Sequence, residues 1–213
     1  MLNISINLDN ASEMIAHQHT LLTKQKALLV AISGIDGSGK GYITSKLDSL
    51  LTQQNLRIAT IGIDGWLNLP AKRFSKMNPG EHFYQNAVRF GELFGQLIFP
   101  LRDRRSIHLE ADYTEETASG YRKHIYQFTD IDVILLEGIY LLKRQFQSTY
   151  DLSFWIECSF ETALSRAIAR SQEGLSPTET VAAYQTIYFP AQRIHFERDQ
   201  PQQGATAILH NDN

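Results

Sequence analysis

The stretch that decides the fold is Ala27-Leu28-Leu29-Val30-Ala31-Ile32-Ser33-Gly34-Ile35-Asp36-Gly37-Ser38-Gly39-Lys40-Gly41. Its first six residues are a continuous apolar run ending in a glycine-rich segment. That pattern suits a strand buried on both faces, as parallel sheets require. Gly34, Gly39 and Lys40 then show the phosphate-loop spacing of glycine, four residues, glycine and lysine. Successive backbone N–H groups must turn inward to cradle phosphate oxygens, and side chains would obstruct them. Lys40 adds a point charge. Beyond the loop, Ile43, Leu47, Leu50 and Leu51 recur at helical spacing up to Gln53, so a helix presents its positive dipole end to the anion. The dinucleotide fingerprint fails, because the third glycine position after Gly37 and Gly39 holds Tyr42. Gly34, Asp36, Gly37, Ser38, Gly39, Lys40, Gly41 and Tyr42 are therefore the candidate nucleotide-binding residues.

Outward from this loop the same style repeats. Short apolar runs at Ile58–Ile63, Val133–Leu136 and Leu152–Ile156, with a weaker one at Ala205–Leu209, read as further strands. Helical segments lie between several of them. A first helix is expected over residues 10 to 25, capped by Asn10 or Ser12, with Met14, Ile15, Leu21 and Leu22 on its apolar face. Ala87, Phe90, Phe94, Leu97 and Ile98 share one helical face, and Ala163, Leu164, Ala167 and Ile168 another. Ser176-Pro177-Thr178-Glu179 is a capping box with proline at the first helical position, and Pro190 is expected to end or kink the helix it starts. Strands alternating with helices predict one α/β domain around a parallel sheet. Residues 65 to 130 form a long, turn-rich insertion expected to build half of a site at the strand C-terminal ends.

Composition narrows the function. The 213 residues carry a net charge of -3, so no broad basic face is available for nucleic acid or anionic lipid. Arg102–Arg105 reads as a solvated turn. No apolar run approaches the ~20 residues of a membrane span, and the N-terminus lacks a signal-peptide layout. The single cysteine, Cys158, lies in an apolar run and reads as a buried structural thiol. A cytoplasmic location is expected, with a small molecule as partner and a homo-oligomer left open. The N-K-x-D guanine motif of GTPase switches is absent.

Two carboxylates close apolar runs. Asp64, in I-G-I-D-G-W, can accept the proton of an attacking hydroxyl or can simply be a turn residue before Gly65. Glu137, in V-I-L-L-E-G-I-Y, ends a strand as an acid near Mg²⁺ or its waters does. Asp130 and Asp132 start that strand, at the wrong end of the sheet, and are expected to be solvated. Arg166 and Arg170 share a helical face at i, i+4 and precede a polar stretch suited to a lid over about 166–178. Arg193 is a weaker candidate. Residue 41 should carry a hydroxyl for Mg²⁺ but is glycine, and Thr44 and Ser45 lie a turn too far on. Gly41 thus keeps open a nucleotide-binding regulatory protein with weak or no transfer.

Taken together, A-I-S-G-I-D-G-S-G-K, Asp64-Gly65-Trp66, Glu137-Gly138-Ile139 and L-S-R-A-I-A-R at 164–170 resemble the phosphoribulokinase/uridine kinase family of P-loop kinases. Tyr188-Phe189-Pro190-Ala191-Gln192-Arg193 and Ala207–Asn211 are similar to that family's closing helix and last strand. The resemblance, from about Ala27 to Asn211, implies a three-layer α/β/α P-loop fold with a five-stranded parallel sheet and a helical lid. It implies ATP and Mg²⁺ as cofactors, Asp64 as base, Glu137 with Asp64 near the metal, and Lys40, Arg166 and Arg170 on the phosphates. Uridine or another nucleoside is the acceptor it puts first, with pantothenate or a sugar as alternatives. His82, Tyr84, Arg89 and Tyr113, from the insertion, are the candidate acceptor residues.

Overall fold

A computed structural model describes residues 4–22, 25–170 and 174–212. In chain order it contains strand β1 (Ile4–Ser5), helix α1 (Leu8–Leu21), β2 (Leu28–Gly34), α2 (Lys40–Gln53) and β3 (Ile58–Gly62). The insertion supplies helix α3 (Pro79–Asn86), helix α4 over 90–104, and strands β4 (Ile107–Tyr113) and β5 (Arg122–Phe128). Then come β6 (Val133–Gly138), β7 (Leu152–Glu157), α5 (Phe160–Arg170), α6 over 177–199 and β8 (Ala207–His210).

Six strands pair in parallel in the order β1-β8-β7-β2-β6-β3. The sheet therefore has one strand more than the five expected. The extra strand, β1, is a two-residue exposed edge joined to β8, too short to leave a pattern in sequence. β2 occupies an interior position and is buried at every residue. Its side chains alternate between two cores. Leu28, Val30 and Ile32 face α1 and α2, while Leu29 and Ala31 face the layer of α3, α4 and α6. Two apolar faces explain the continuous run, and they make the three-layer α/β/α architecture.

Several local expectations shift. α1 begins at Leu8, capped by the Asn7 side chain, which accepts from the Asn10 N–H at 2.8 Å. It stops at Leu21, which is exposed, while Met14, Ile15 and Leu22 pack on the core as expected, and the expected extension through residues 23 and 24 lies outside the described residues. Ser176 does cap α6 through a full capping box. Pro190 does not end that helix. A π turn over Tyr184–Tyr188 precedes it, as one over Leu93–Ile98 precedes Pro100 in α4. Proline donates no N–H and its ring crowds the carbonyl four residues back, and the wider turn accommodates both. β4 and β5 form an antiparallel hairpin that the sequence reading lacked, although Ile107, Leu109, Ala111 and Tyr113 alternate at period two.

Asp132, Arg102 and Arg105 are not solvated as expected, whereas Asp103, Arg104 and Asp130 are exposed. Asp132 is buried and takes the Arg57 Nε (3.1 Å), the Arg57 backbone N–H (2.9 Å) and Arg105 Nη2 (2.5 Å), while Arg102 pairs with Asp151 at 2.7 Å. Asp130 joins the network through Arg57 and Arg105. Burial opposes ionisation of Asp132, but its hydrogen bonds from Arg57 win and hold the carboxyl below its ordinary range. The cluster ties the N-terminal edge of the sheet together, opposite the phosphate loop. Asp132→Ala should lower stability by about 2 kcal/mol in urea melts, by leaving Arg105 and the half-exposed Arg57 with only the exposed Asp130. The loss should shrink as pH falls through the lowered pKa of Asp132, where wild type protonates the same group.

Candidate active site

The loop between β2 and α2 is shaped by Gly37 and Gly39, at φ 76° and 84°. A Cβ on Gly37 would lie 2.5 Å from the Ala163 carbonyl oxygen, and one on Gly39 would lie 2.2 Å from Asn211 Nδ2. Both positions therefore favour glycine by conformation, and at Gly37 the Ala163 backbone also leaves no room for a side chain. Lys40 opens α2, is buried, and donates from Nζ to the Ile35 carbonyl at 2.9 Å. The same Nζ stands 4.0 Å from Glu137 Oε1. Glu137 reaches this point because β6 lies beside β2 with Glu137 level with Ile32.

Asp64 sits in a 3₁₀ turn, Ile63–Trp66, that follows β3 directly. The turn is braced from behind. The Tyr113 ring fills the space a Cβ on Gly65 would need, and buried Arg89 donates to Leu67 O at 3.2 Å and Asp112 O at 2.7 Å. Burial pushes the Asp64 carboxyl up, with Lys40 pulling the other way. The Glu137 carboxyl is pushed up to about 7, first by burial and then by the nearby charges of Asp64 and Asp36 against Lys40. The charge of Asp64 thus adds to burial in raising Glu137, while Asp64 itself is raised by burial and by Asp36.

α5 delivers the arginines. Arg166 Nη1 donates to the Ser38 carbonyl at 3.3 Å, and Arg170 Nη2 lies 3.7 Å from Asp36 Oδ1. Asp36 also accepts from the Tyr184 hydroxyl of α6. Asn211, just past β8, donates from Nδ2 to Ser38 O at 2.8 Å. Cys158 is buried, as its apolar run implied.

Lys40, Asp64, Glu137, Arg166 and Arg170 line one cavity of about 320 Å³ at the carboxyl ends of the strands, together with Asp36, Gly37, Gly39, Gly41 and Tyr42. The four candidate acceptor residues do not line it. His82 Nε2 contacts Lys72 O at 2.9 Å, and the Tyr84 hydroxyl donates to Asp199 at 2.6 Å. Arg89 and Tyr113 brace the Asp64 turn. The rest of the lining comes largely from Leu67, Arg73, Phe83, Glu116, Tyr188 and Gln192. The first four come from separate stretches of the insertion, while Tyr188 and Gln192 share α6, spaced i, i+4 on one helical face within the Tyr188–Arg193 stretch.

The residues fit a nucleotide phosphate and a hard cation. Among the described residues no group of three or more His, Cys, Asp or Glu is close enough to hold an ion alone. Mg²⁺ in phosphoryl-transfer sites keeps waters and takes only one or two carboxylates plus phosphate oxygens. Asp64 and Glu137 supply that number, and the buried Ser38 hydroxyl has no partner in the loop. Thr44 cannot replace the hydroxyl missing at Gly41, since its own donates to Lys40 O at 2.9 Å in a buried position.

No family model matches the chain. Among curated proteins it is 40% identical over 58 residues to CTP synthase 1-A of Xenopus laevis, covering 27% of this chain and 10% of that protein. CTP synthase 2 of Homo sapiens is 39% identical over 61 residues, 29% of this chain and 10% of the other. The matched stretch is thus about a tenth of the length of these relatives. Solved structures match over nearly the whole chain. One described as a possible uridine kinase of Bacillus stearothermophilus has a TM-score of 0.73 at 17% identity, covering 95% of this chain and 98% of that one. A protein of Silicibacter sp. TM1040, provisionally a fructose transport system kinase, has 0.68 at 19%, covering 96% and 99%. D-glycerate 3-kinase of Cryptococcus neoformans has 0.64 at 12%, covering 95% of each. At these identities the likeness is one of fold, and the fold is that of P-loop kinases.

Glu137 gives this site a pH signature. Its carboxyl binds a proton more readily in the folded chain, at about 7, than its ordinary 4.5. Between those values the folded state holds more protons than the unfolded, so stability falls as pH rises. Urea melts of wild type without nucleotide should show that decline from pH 4.5 to 7, and Glu137→Gln should flatten it.

Proposed function

We propose that this chain is an ATP-dependent kinase that phosphorylates a hydroxyl of a small metabolite. The observation that carries the reading is the convergence of Lys40, Asp64, Glu137, Arg166 and Arg170 on one cavity at the mouth of the phosphate loop. A phosphate-binding loop alone is compatible with switches and motors. A loop joined by a buried carboxylate on the acceptor side and two arginines on the other is what transfer to a hydroxyl requires.

Lys40 and the inward N–H groups of the loop hold the phosphates, at the N-terminus of α2 where the helix dipole favours them. Asp64 accepts a hydrogen bond from the acceptor hydroxyl, orients it in line and takes its proton as the bond to phosphorus forms. Burial raises the pKa of Asp64, which strengthens it as a base. Glu137, beside Lys40, would help hold Mg²⁺ or its waters when ionised. Mg²⁺, when bound, neutralises charge on the phosphate oxygens. Arg166 and Arg170 extend from α5 to stabilise the charge of the transferring group, and Asp36 steadies Arg170. No helix among the described residues is long and apolar enough to cross a membrane, and a reducing cytoplasm accords with one buried thiol. Uridine or another nucleoside is the acceptor favoured by sequence resemblance. The insertion does contribute to the cavity wall, through Leu67, Arg73, Phe83 and Glu116, but not through the four residues expected to hold the acceptor.

Asp64→Asn should lower kcat by about a hundredfold or more, the range of a positioned general base, with ATP affinity within twofold of wild type by calorimetry. Unchanged turnover would remove Asp64 from the reaction.

Gly41 supports a second reading, a nucleotide-binding regulator with weak transfer. A Cβ there would meet nothing within 4 Å, so the position has open space for a serine. Under the kinase reading, Gly41→Ser should lower the Mg²⁺ concentration for half-maximal ADP release several-fold. A wild type that binds Mg-ATP and turns over no acceptor would favour the regulator.

A further inference from the structure

The acceptor side of the cavity carries two buried polar groups with unmet hydrogen-bonding capacity. Arg73, at the end of the short helical turn Pro70–Arg73, is only 3% exposed, and Gln192 of α6 is 1% exposed. Arg73 Nε and Gln192 Oε1 are both buried without a partner. Arg73 Nη2 donates to the Glu116 carbonyl and its guanidinium lies 4.9 Å from the Phe74 ring centre, which fixes the group's plane. Among the described residues no carboxylate stands within salt-bridge distance of Arg73. A buried guanidinium is costly unless it is paired.

The neighbourhood narrows the ligand. Lys40, Arg166 and Arg170 stand on the phosphate-loop side, leaving Arg73 as the cation that the insertion contributes to the lining. Its charge is felt at Asp64, whose ionisation it favours. Phe83 and Tyr188, packed edge to face with ring centres 5.0 Å apart, close the wall beside it. A planar guanidinium with an unused Nε suits a carboxylate or phosphate oxygen, while Gln192 Oε1 takes a hydrogen from a hydroxyl or N–H on the same molecule.

We infer that Arg73 and Gln192 form the acceptor subsite, and that the acceptor is a small polyhydroxylated molecule bearing an anionic carboxylate or phosphate group. This rests on the kinase reading above and narrows its substrate class. Arg73 binds the anion, Gln192 reads a neighbouring hydroxyl or N–H, and the hydroxyl to be phosphorylated is left against Asp64. The proton of that hydroxyl passes to Asp64 as its oxygen bonds to the γ-phosphorus, and ADP leaves with the electrons of the broken bond.

The test is a coupled ADP-release assay on the full chain with matched pairs: gluconate against glucose, glycerate against glycerol, ribose 5-phosphate against ribose, and uridine as a further neutral acceptor. The expected result is a kcat/KM at least tenfold higher for one charged member than for its neutral partner and for uridine, with the carboxylate and phosphate arms showing which anion is used. Arg73→Gln should then raise KM for that acceptor tenfold or more, the size of a hydrogen bond to a charged group, with KM for ATP within twofold. Gln192→Met, nearly isosteric, should raise acceptor KM alone and covers the case in which the arginine variant fails to fold. Preference for neutral acceptors, or variants that leave acceptor KM unchanged, would overturn the subsite while leaving the kinase reading intact. Absence of transfer to every compound would overturn the kinase reading, and the subsite with it.

Discussion

The site depends on one constraint: β2 must be a parallel strand with neighbours on both sides, and the chain must leave its carboxyl end through left-handed glycines. Parallel strands present all their carboxyl ends at one edge. With β6 on one side of β2 and β7 on the other, Glu137 and the start of α5 arrive beside the loop without any motif directing them. Asp64 arrives because β3 is next to β6. A side chain at Gly37 or Gly39 would strike Ala163 or Asn211, so the loop's conformation is also fixed by the segments that flank it.

Electrostatics then follow from packing. Lys40 is buried between Ile35 O and Glu137, so the charges around it are only weakly screened. Burial pushes Glu137 and Asp64 toward protonation beside the same lysine, with the charge of Asp64 adding to the shift of Glu137, while Asp36 is held by Tyr184 and faces Arg170. The two ends of the sheet contrast. At the loop end the carboxyls are raised and face a cavity; at the other end Asp132 is lowered by two arginines and serves cohesion.

Much of this was legible in sequence where the physics is local. The buried strand, the glycine spacing, the capping box at Ser176 and the acids closing β3 and β6 each leave a signature within ten residues. What escaped depends on contacts far apart in the chain. β1 is two residues long and exists only because β8 offers it an edge. Arg73, Phe83 and Gln192 belong to three elements and meet only after the insertion folds onto α6. Arg89 and Tyr113 were sensible polar and aromatic candidates in the insertion, yet they turn inward to brace the Asp64 turn. Asp132 looked solvated because its two arginines lie about 75 and 27 residues away.

The account's central claim is phosphoryl transfer from ATP to a small hydroxyl compound. The most direct measurement incubates the purified chain with Mg²⁺ and γ-labelled ATP in a metabolite extract freed of protein, then separates the products. The label should move into a new organic phosphate ester as ADP appears. Label found only in ATP and inorganic phosphate would contradict the account.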